Sequence, residues 1–454
     1  MRPEAIREWL SSESVFGEVA SFVCCQGAEV YLVGGTVRDL LVGRDSYDMD
    51  LAVTVDAMGL ARRVADAVGG AYYSMDAERD VARVVVGRGG AQRVIDLAGL
   101  RAGTIEEDLR ARDFTANAMA VSLCSPEGGL LDPTGGRRDL EARTLRVTHP
   151  GAFGDDPLRL LRGVRLRQSL GWQVAPETER LMRAWAPSLT RVSPERVRDE
   201  LAQVLCLDGA AGGLGYAHAL GVLVPALPGV EGAALSDGIA VVGRLERLDP
   251  IWDQARRGGE ELRALRGLFG GLQPWLRVHW GEALSGGRAR RVALKLAALL
   301  YPLGDSAGDV AARLHLSTRE ARLVATAVMS AHCLQEGGAS GLPSRVAIYR
   351  YFRRAGEAGV AGAVLALAAD PELGGSGREG LAAYVAALLR AWFSERQEVI
   401  DPPLLLTGGE VMDELGIGPG PRVGEALGAL REAQVQGLVT TREEAREYLR
   451  AGRF

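Results

Sequence analysis

The residues with the clearest chemical use fall between Leu32 and Val53, in LVGGTVRDLLVGRDSYDMDLAV, where a glycine pair, an arginine and an Asp-x-Asp pair share twenty-two positions. Gly34 and Gly35 carry no Cβ to hold the backbone away from a phosphate chain, and TVRDLLVG reads as a short helix whose N-terminus faces the anion. Arg38 adds a fixed positive charge one turn into that helix. Asp48 and Asp50 stand two apart in an apolar run, so on a strand they share a face and can share hard divalent cations. Alone, a Gly-Gly is commonly a turn and an Asp-x-Asp a solvated strand end. In this order they demand more, because two carboxylates on one strand face repel unless a cation lies between them. Magnesium arriving with a nucleoside triphosphate is the economical partner.

Asp96 ends a second apolar run, RVIDLAGLR. It reads either as a strand-end cap or as the third carboxylate of a two-metal nucleotidyl-transfer centre, in which one cation lowers the pKa of an attacking hydroxyl and the other steadies the triphosphate. In EEDLRARDFTANAMAV, Arg112 and Asp113 precede an apolar helical face; the pair suits a surface, yet Arg112 can also hold a ribose or a phosphate. DPTGGRRDL, Asp132 to Leu140, reads as a connector.

GAFGDDPLRLLRGVR is more specific. With Pro157 at a helix start, Asp156 and Arg159 are expected one turn apart on one face. A carboxylate accepts from the exocyclic amine shared by cytosine and adenine, while a guanidinium donates to the adjacent ring nitrogen. Uracil and guanine present the opposite pattern, so the pair would select CTP and ATP by about 1 to 3 kcal/mol per base, by analogy with groove readout. A plain i,i+3 salt bridge, worth about 0.2 to 0.5 kcal/mol, is the structural alternative.

These residues need a sheet to hold them. The first 147 residues alternate strand-like runs (VYLVGG, MDLAV, ARVVVG, RVIDLA) with helical pieces (AMGLARRVADAVGG, EEDLRARDFTANAMAV), an α/β pattern. From Pro157 onward the text is helical, with Ser193-Pro194-Glu195 as a helix start and Ser317-Thr318-Arg319-Glu320 as a capping box. The fold class expected is α+β: an N-terminal head with a small mixed sheet and helices, then an all-α neck, body and tail. Gly- and Pro-rich joints near 208–215, 228–238, 370–380 and 401–409 mark candidate boundaries. The division expected is a head at 1–147, neck helices at 148–210, a helical body at 211–375 and a tail at 376–454.

Length and composition set outer bounds. At 454 residues and 47% hydrophobic content, the chain has material for several cores. The net charge of −5 does not announce nucleic acid, but Arg159 to Glu200 holds nine arginines against five acids, a solvated face or an RNA and nucleotide wall that includes Arg162. Five scattered cysteines without C-x-x-C spacing argue against a disulfide framework and a zinc site, and point to a reducing, cytoplasmic setting. No run of eighteen apolar residues suggests a membrane span, and the dispersed histidines suggest no ligand set.

Taken in order, GGTVRD, DMD, RARDFTANAMAV, DPTGGRRDL and DDPLRLLR resemble the bacterial-type, class II branch of tRNA nucleotidyltransferases, the CCA-adding enzymes and their poly(A) polymerase relatives. The resemblance runs from about residue 30 to 200. It implies a nucleotidyltransferase head, with Asp48 and Asp50 as Mg2+ ligands, Asp96 assisting, and Gly34, Gly35 and Arg38 on the triphosphate. It assigns Arg112 to the sugar or phosphates, Asp156 and Arg159 to the base edge, and Arg162 to the same nucleotide wall. The implied partners are tRNA, through its acceptor stem and 3′ end, CTP and ATP, with no membrane and no obligate protein partner. The tail stretch from Leu406, with its GIGPGPRVG turn before a helix, is similar to the tRNA-binding tail of the family. ALKLAALLYPLGD resembles the metal phosphohydrolase (HD) domain of some members, with Tyr301 and Pro302 at the His-Asp position, so it is read as scaffold without a metal.

Three features depart from the family pattern. Ala111 replaces the first arginine of an Arg-Arg-Asp triplet, Asp155 replaces a glutamate, and only fifteen residues separate Asp96 from Arg112. Members that stop after two cytidines resemble this shortened form. The activity expected is untemplated addition of C and A to the tRNA 3′ end with release of pyrophosphate. CC addition alone, poly(A) synthesis and tRNA binding without catalysis are the alternatives.

Overall fold

In the computed structural model of the chain, a seven-stranded sheet carries the residues singled out above, and its strand order, β3-β4-β5-β2-β1-β6-β7, puts the two acidic strands side by side. The structure describes residues 4–12, 14–87, 92–101, 103–125, 128–230, 232–252, 263–337, 341–371 and 379–452; most of the expected joint at 370–380 therefore lies outside the described residues. The chain divides into two compact units, one of Met1–Val192 with Leu220–Pro225, the other of Ser193–Ala219 with Ala226–Phe454.

The first unit begins with α1 (Glu4–Ser12) and α2 (Ser14–Cys24), then β1 (Val30–Val33), α3 (Gly34–Leu41), β2 (Asp48–Val53), α4 (Ala57–Val68), β3 (Ala71–Asp76), β4 (Val81–Val86) and β5 (Arg93–Gly99). It continues with α5 (Ile105–Arg110), β6 (Ala120–Ser122), β7 (Leu130–Leu131), α6 (Gly136–Glu141), β8 (Thr144–Leu145), α7 (Ala152–Asp155), α8 (Arg159–Leu170), β9 (Gln173–Val174) and α9 (Pro176–Trp185). β2 and β5 run parallel; the other neighbours in the large sheet are antiparallel, so the sheet is mixed.

Alternation along β2 decides the two faces. Met49, Leu51 and Val53 point into a core shared with Phe16, Val37, Leu60 and Val64 from α2, α3 and α4, which leaves Asp48, Asp50 and Ala52 on the other side. That second side is roofed by Ile105 and Leu109 of α5, packed with Val33 and Ala52. Phe114 fixes the following helices: it is fully buried, its ring lies 6.5 Å from that of Phe153, and Gly163 of α8 gives it room. Burying such a ring contributes about 1.5 to 3 kcal/mol.

Several expectations are corrected. EEDLRARDFTANAMAV is not one helix: α5 stops at Arg110, Thr115–Asn117 makes a single 3₁₀ turn, and the apolar AMAV enters β6 because it pairs with β1. The edge strand β3 escaped notice, since none of its six side chains is buried on either face and no alternation shows. DPTGGRRDL is a connector that starts α6, with the Asp132 carboxylate accepting from Gly136 N at 2.6 Å and Arg137 N at 2.9 Å.

The cysteine reading is also overturned, for Cys24 and Cys124 form a disulfide. Separated by 100 residues, they show no spacing signal; the end of α2 and the segment after β6 meet because both flank β1.

The second unit is helical, among the described residues, apart from an isolated bridge between Ala283 and Ala289. The Ser317–Glu320 capping box forms as expected at the head of Thr318–Glu336, and Arg288 grips the same Glu320 carboxylate at 2.8 Å. Tyr301, at the His-Asp position of the HD resemblance, stacks on His332 with ring centroids 4.2 Å apart. Leu406, Val411, Ala426, Leu430 and Leu449 form a small core of their own in the tail. No helix among the described residues is long and apolar enough to cross a membrane.

The disulfide gives a direct check. Denatured without reductant, the protein should titrate three thiols, those of Cys25, Cys206 and Cys333, and five after reduction. Cys124→Ser should lower the melting temperature, since a crosslink closing a loop near 100 residues is worth up to about 4.7 kcal/mol in the chain-entropy account.

Candidate active site

Parallel pairing of β2 with β5 puts Asp50 level with Asp96, and antiparallel pairing of β4 with β5 puts Arg83 level with Asp96 on its other side. Asp48 lies one pleat away on the same face as Asp50. Burial raises the pKa of both Asp48 and Asp50 above the usual carboxylate range, and the charge of Asp96 adds to the effect. Arg83 opposes it at Asp48; Arg112 and a hydrogen bond from the Thr36 hydroxyl oppose it at Asp50. Asp96 itself arrives already paired, accepting from Arg83 Nε at 2.7 Å and Nη2 at 2.8 Å.

The glycine pair meets these acids. Gly34 opens α3 with φ of 72°, and a Cβ there would lie 3.2 Å from Asp50 Oδ2 and 3.4 Å from Arg112 Nη1. Both conformation and space thus call for glycine. The N-terminus of α3 carries no side-chain cap, so its first amides keep the donors that an anion uses. Gly35 follows in the same turn, against the Arg38 guanidinium. Arg38 is buried, donating to Asp39 at 2.9 and 2.8 Å and to Asn117 Oδ1 at 2.6 Å.

Arg112 is the hinge between two groups of residues. Its guanidinium faces Gly34 and is held by Asp108 at 3.0 and 3.1 Å, while its carbonyl accepts from Arg159 Nη1 at 3.2 Å. Beyond it opens a cavity of about 710 Å³ lined by the C-terminal ends of β2 and β5, by Arg79 and Arg101, and by Asp155, Asp156 and Arg159. Asp48, Asp50 and Gly34 are not in that lining.

Asp156 and Arg159 reach the cavity by a route other than the one expected. Asp156 is not on a helix face: it is extended (φ −148°, ψ 101°) because it precedes Pro157, and α8 begins at Arg159. Its Oδ1 accepts from Leu158 N at 3.1 Å. The buried Arg159 donates three hydrogen bonds to the carbonyls of Ala111, Arg112 and Ala152, which fixes its plane and leaves two of its five N–H donors. Asp155, in the glutamate position, lies 3.2 Å from His149 Nε2.

Arg162 points to Asp113 instead of the cavity, with its Nε 3.0 Å from Asp113 Oδ2. Burial of Asp113 would raise its pKa, but the Arg162 charge and hydrogen bonds from Phe114 N, Arg162 and Asn117 outweigh burial and hold it below the usual range. Asn117 links onward to Arg38, so α8 and α3 are joined through polar side chains.

Sequence reading missed Arg83, Arg101, Asp108 and Asn117. Arg83 left a signal, as the one charge in the apolar alternation of β4. Arg101 and Asn117 lie in a bend and a single 3₁₀ turn, and Asp108 in a helix of only six residues, where spacing defines little of a face.

The donor set fits a divalent cation. Two hard carboxylates with pKa values raised by burial and by the charge of Asp96 gain when such a cation arrives, and Mg2+ is commonly held by one or two carboxylates plus substrate phosphates. Among the described residues, no group of three or more His, Cys, Asp or Glu is arranged to hold a metal, so the remaining ligands would come from phosphate and water.

An uncapped helix start beside paired carboxylates on a mixed sheet defines a nucleotidyltransferase head. Residues 30–146 match the poly A polymerase head domain, and residues 171–233 match the probable RNA and SrmB-binding site of polymerase A. The CC-adding tRNA nucleotidyltransferase of Geobacter sulfurreducens is 36% identical over 95% of this chain and 94% of its own length. The A-adding tRNA nucleotidyltransferase of Deinococcus radiodurans is also 36% identical, over 92% of this chain and 94% of its own. A solved CCA-adding enzyme in its apo form shares the fold, with a TM-score of 0.67 at 24% identity over 99% of this chain and 95% of that one. The chain belongs to the tRNA nucleotidyltransferase and poly(A) polymerase family, whose members use divalent metals.

Two measurements follow from the electrostatics. Asp50→Asn should raise the melting temperature of the metal-free protein at neutral pH. The raised pKa of Asp50 means its ionised form costs stability above that pKa, so the gain should vanish as pH falls below the unfolded value of 3.8. Arg162→Ala should cost about 1 to 3 kcal/mol by stranding the Asp113 charge. Because the Asp113 pKa is lowered, that difference should persist above the unfolded value and fade as pH drops through the lowered one.

Proposed function

We propose that this chain adds cytidylates from CTP, one after another, to the 3′ end of tRNA, releasing pyrophosphate, with CC as its endpoint. One observation carries the endpoint. β5 ends at Gly99 and α5 begins at Ile105, so the acidic strand joins α5, the helix that leads into Arg112, through five residues. Asp108 of α5 holds this region together, accepting from Arg101 N in the connection at 3.2 Å and from the Arg112 guanidinium just past the helix. A connection this short leaves no segment to reshape the cavity between one base and the next.

In this reading Asp48 and Asp50 hold Mg2+, and Gly34 with the first amides of α3 takes the triphosphate. A bound divalent cation supplies the positive charge that acidifies the 3′-hydroxyl and steadies the leaving pyrophosphate. The hydroxyl oxygen attacks the α-phosphorus in line, its proton passing to solvent as the bond to the pyrophosphate oxygen breaks. Arg112 orients the sugar or its phosphates, and Asp156 with the two remaining donors of Arg159 reads the base edge. Arg38 and Arg162 act from behind, keeping α3 and α8 in register. The helical second unit engages the tRNA backbone, which makes binding weaken with salt.

A second reading, addition of the terminal A, is favoured by the equal identity to an A-adding relative. The test offers one labelled nucleotide at a time, with Mg2+, to tRNAs ending before, within and after CC. Incorporation of CTP on the first two and of nothing on the third is expected; ATP use on the third would replace the CC endpoint with full CCA addition or A addition. Asp156→Ala should bring the CTP preference over UTP down by roughly five- to 150-fold, corresponding to about 1 to 3 kcal/mol per base. An unchanged ratio would remove Asp156 from base reading.

A further inference from the structure

Arg83 faces Asp96 directly across the β4–β5 pair and takes both of its carboxylate oxygens in a fork, Nε to Oδ1 at 2.7 Å and Nη2 to Oδ2 at 2.8 Å. A fork of two charge-assisted bonds is the strongest arrangement open to this pair, and a guanidinium does not give up its proton. Each Asp96 oxygen keeps one further lone pair, but a cation taking it would lie beside the fixed positive charge of Arg83. The same guanidinium feels Asp48 and Asp50, whose charges raise its pKa further, so it lies among all three acids. Arg112, the other cation near Asp50, is matched by Asp108.

Three carboxylates against one guanidinium leave a charge of minus two at the cluster, which one divalent cation balances and two would exceed. We infer that Arg83 stands where a second cation would otherwise be needed: it withholds Asp96 from the metal, and without nucleotide the centre takes a single divalent ion on Asp48 and Asp50. Arg83 is thus a positioning residue that acts through Asp96 and through its fixed charge. The inference rests on the reading of Asp48 and Asp50 as metal ligands.

Mn2+ alone, added to the full-length protein and followed by the spin-resonance signal of the free ion, provides the test. The wild type should bind one Mn2+. Arg83→Ala should bind at least tenfold more tightly, because a like charge is gone and Asp96 is released. Arg83→Lys, which keeps the charge, should stay within about threefold of the wild type. The double variant Arg83→Ala/Asp96→Asn should bind no more weakly than the wild type. Arg83→Gln replaces the alanine variant should melting show that the latter does not fold. Loss of at least tenfold in the double variant, with Arg83→Ala unchanged, would make Asp96 a ligand and overturn the inference; so would a lysine variant as tight as alanine. Mn2+ binding that ignores Arg83 sinks this inference alone, whereas a wild type that binds no Mn2+ sinks the assignment of Asp48 and Asp50 as well.

Discussion

Like charges held at strand spacing are the constraint around which the first unit is organised. Asp48, Asp50 and Asp96 are brought together by hydrogen-bonded pairing of β2 with β5, and backbone registry does not yield to side-chain repulsion. What the repulsion changes is everything adjacent. Arg83 is drawn across from β4, Thr36 turns its hydroxyl to Asp50, and Arg112 approaches from the roof. Gly34 lacks a side chain where one would intrude on both Asp50 and Arg112. In the proposed reading, an incoming nucleotide with its cation relieves that unfavourable energy, which is how a folded protein stores affinity for a charge it does not yet hold.

The second organising feature is a relay of hydrogen bonds that connects the Asp156–Arg159 segment to α3. Arg159 is pinned to the carbonyls of Ala111 and Arg112, and Arg112 faces Gly34. In parallel, Arg162, Asp113, Asn117 and Arg38 form a polar chain from α8 to α3. In the proposed reading the base and the triphosphate are joined covalently in one ligand of limited length, so the two protein surfaces assigned to them gain from a fixed separation. Buried polar chains suit that purpose, since each member has few alternative partners.

Much of this was legible in the sequence, and the losses have physical causes. β1, β2, β4 and β5 could be read because one face of each is buried and the residues alternate. β3 could not, lying at the sheet edge with little buried on either side. The shared strand face of Asp48 and Asp50 could be read from spacing alone, but what Asp96 pairs with is set by the register of β4, which no local pattern encodes. Asp156 was misplaced onto a helix because proline at a helix start is a good signal for the residues after it and a poor one for the residue before. The Cys24–Cys124 bond joins residues with no shared period at all.

The brevity of the link from β5 to α5 has a kinetic side. On the proposed CC endpoint, a recognition surface tied down at so short a link does not alternate between two substrates on the timescale of successive turnovers, and selectivity is a property of the resting protein. On that same proposal an RNA tail that has outgrown the surface has nothing further to gain by staying, and dissociation is the natural last step. Completion of the tail would then require its capture from solution, which would make the finished 3′ end depend on encounter rates between separate molecules.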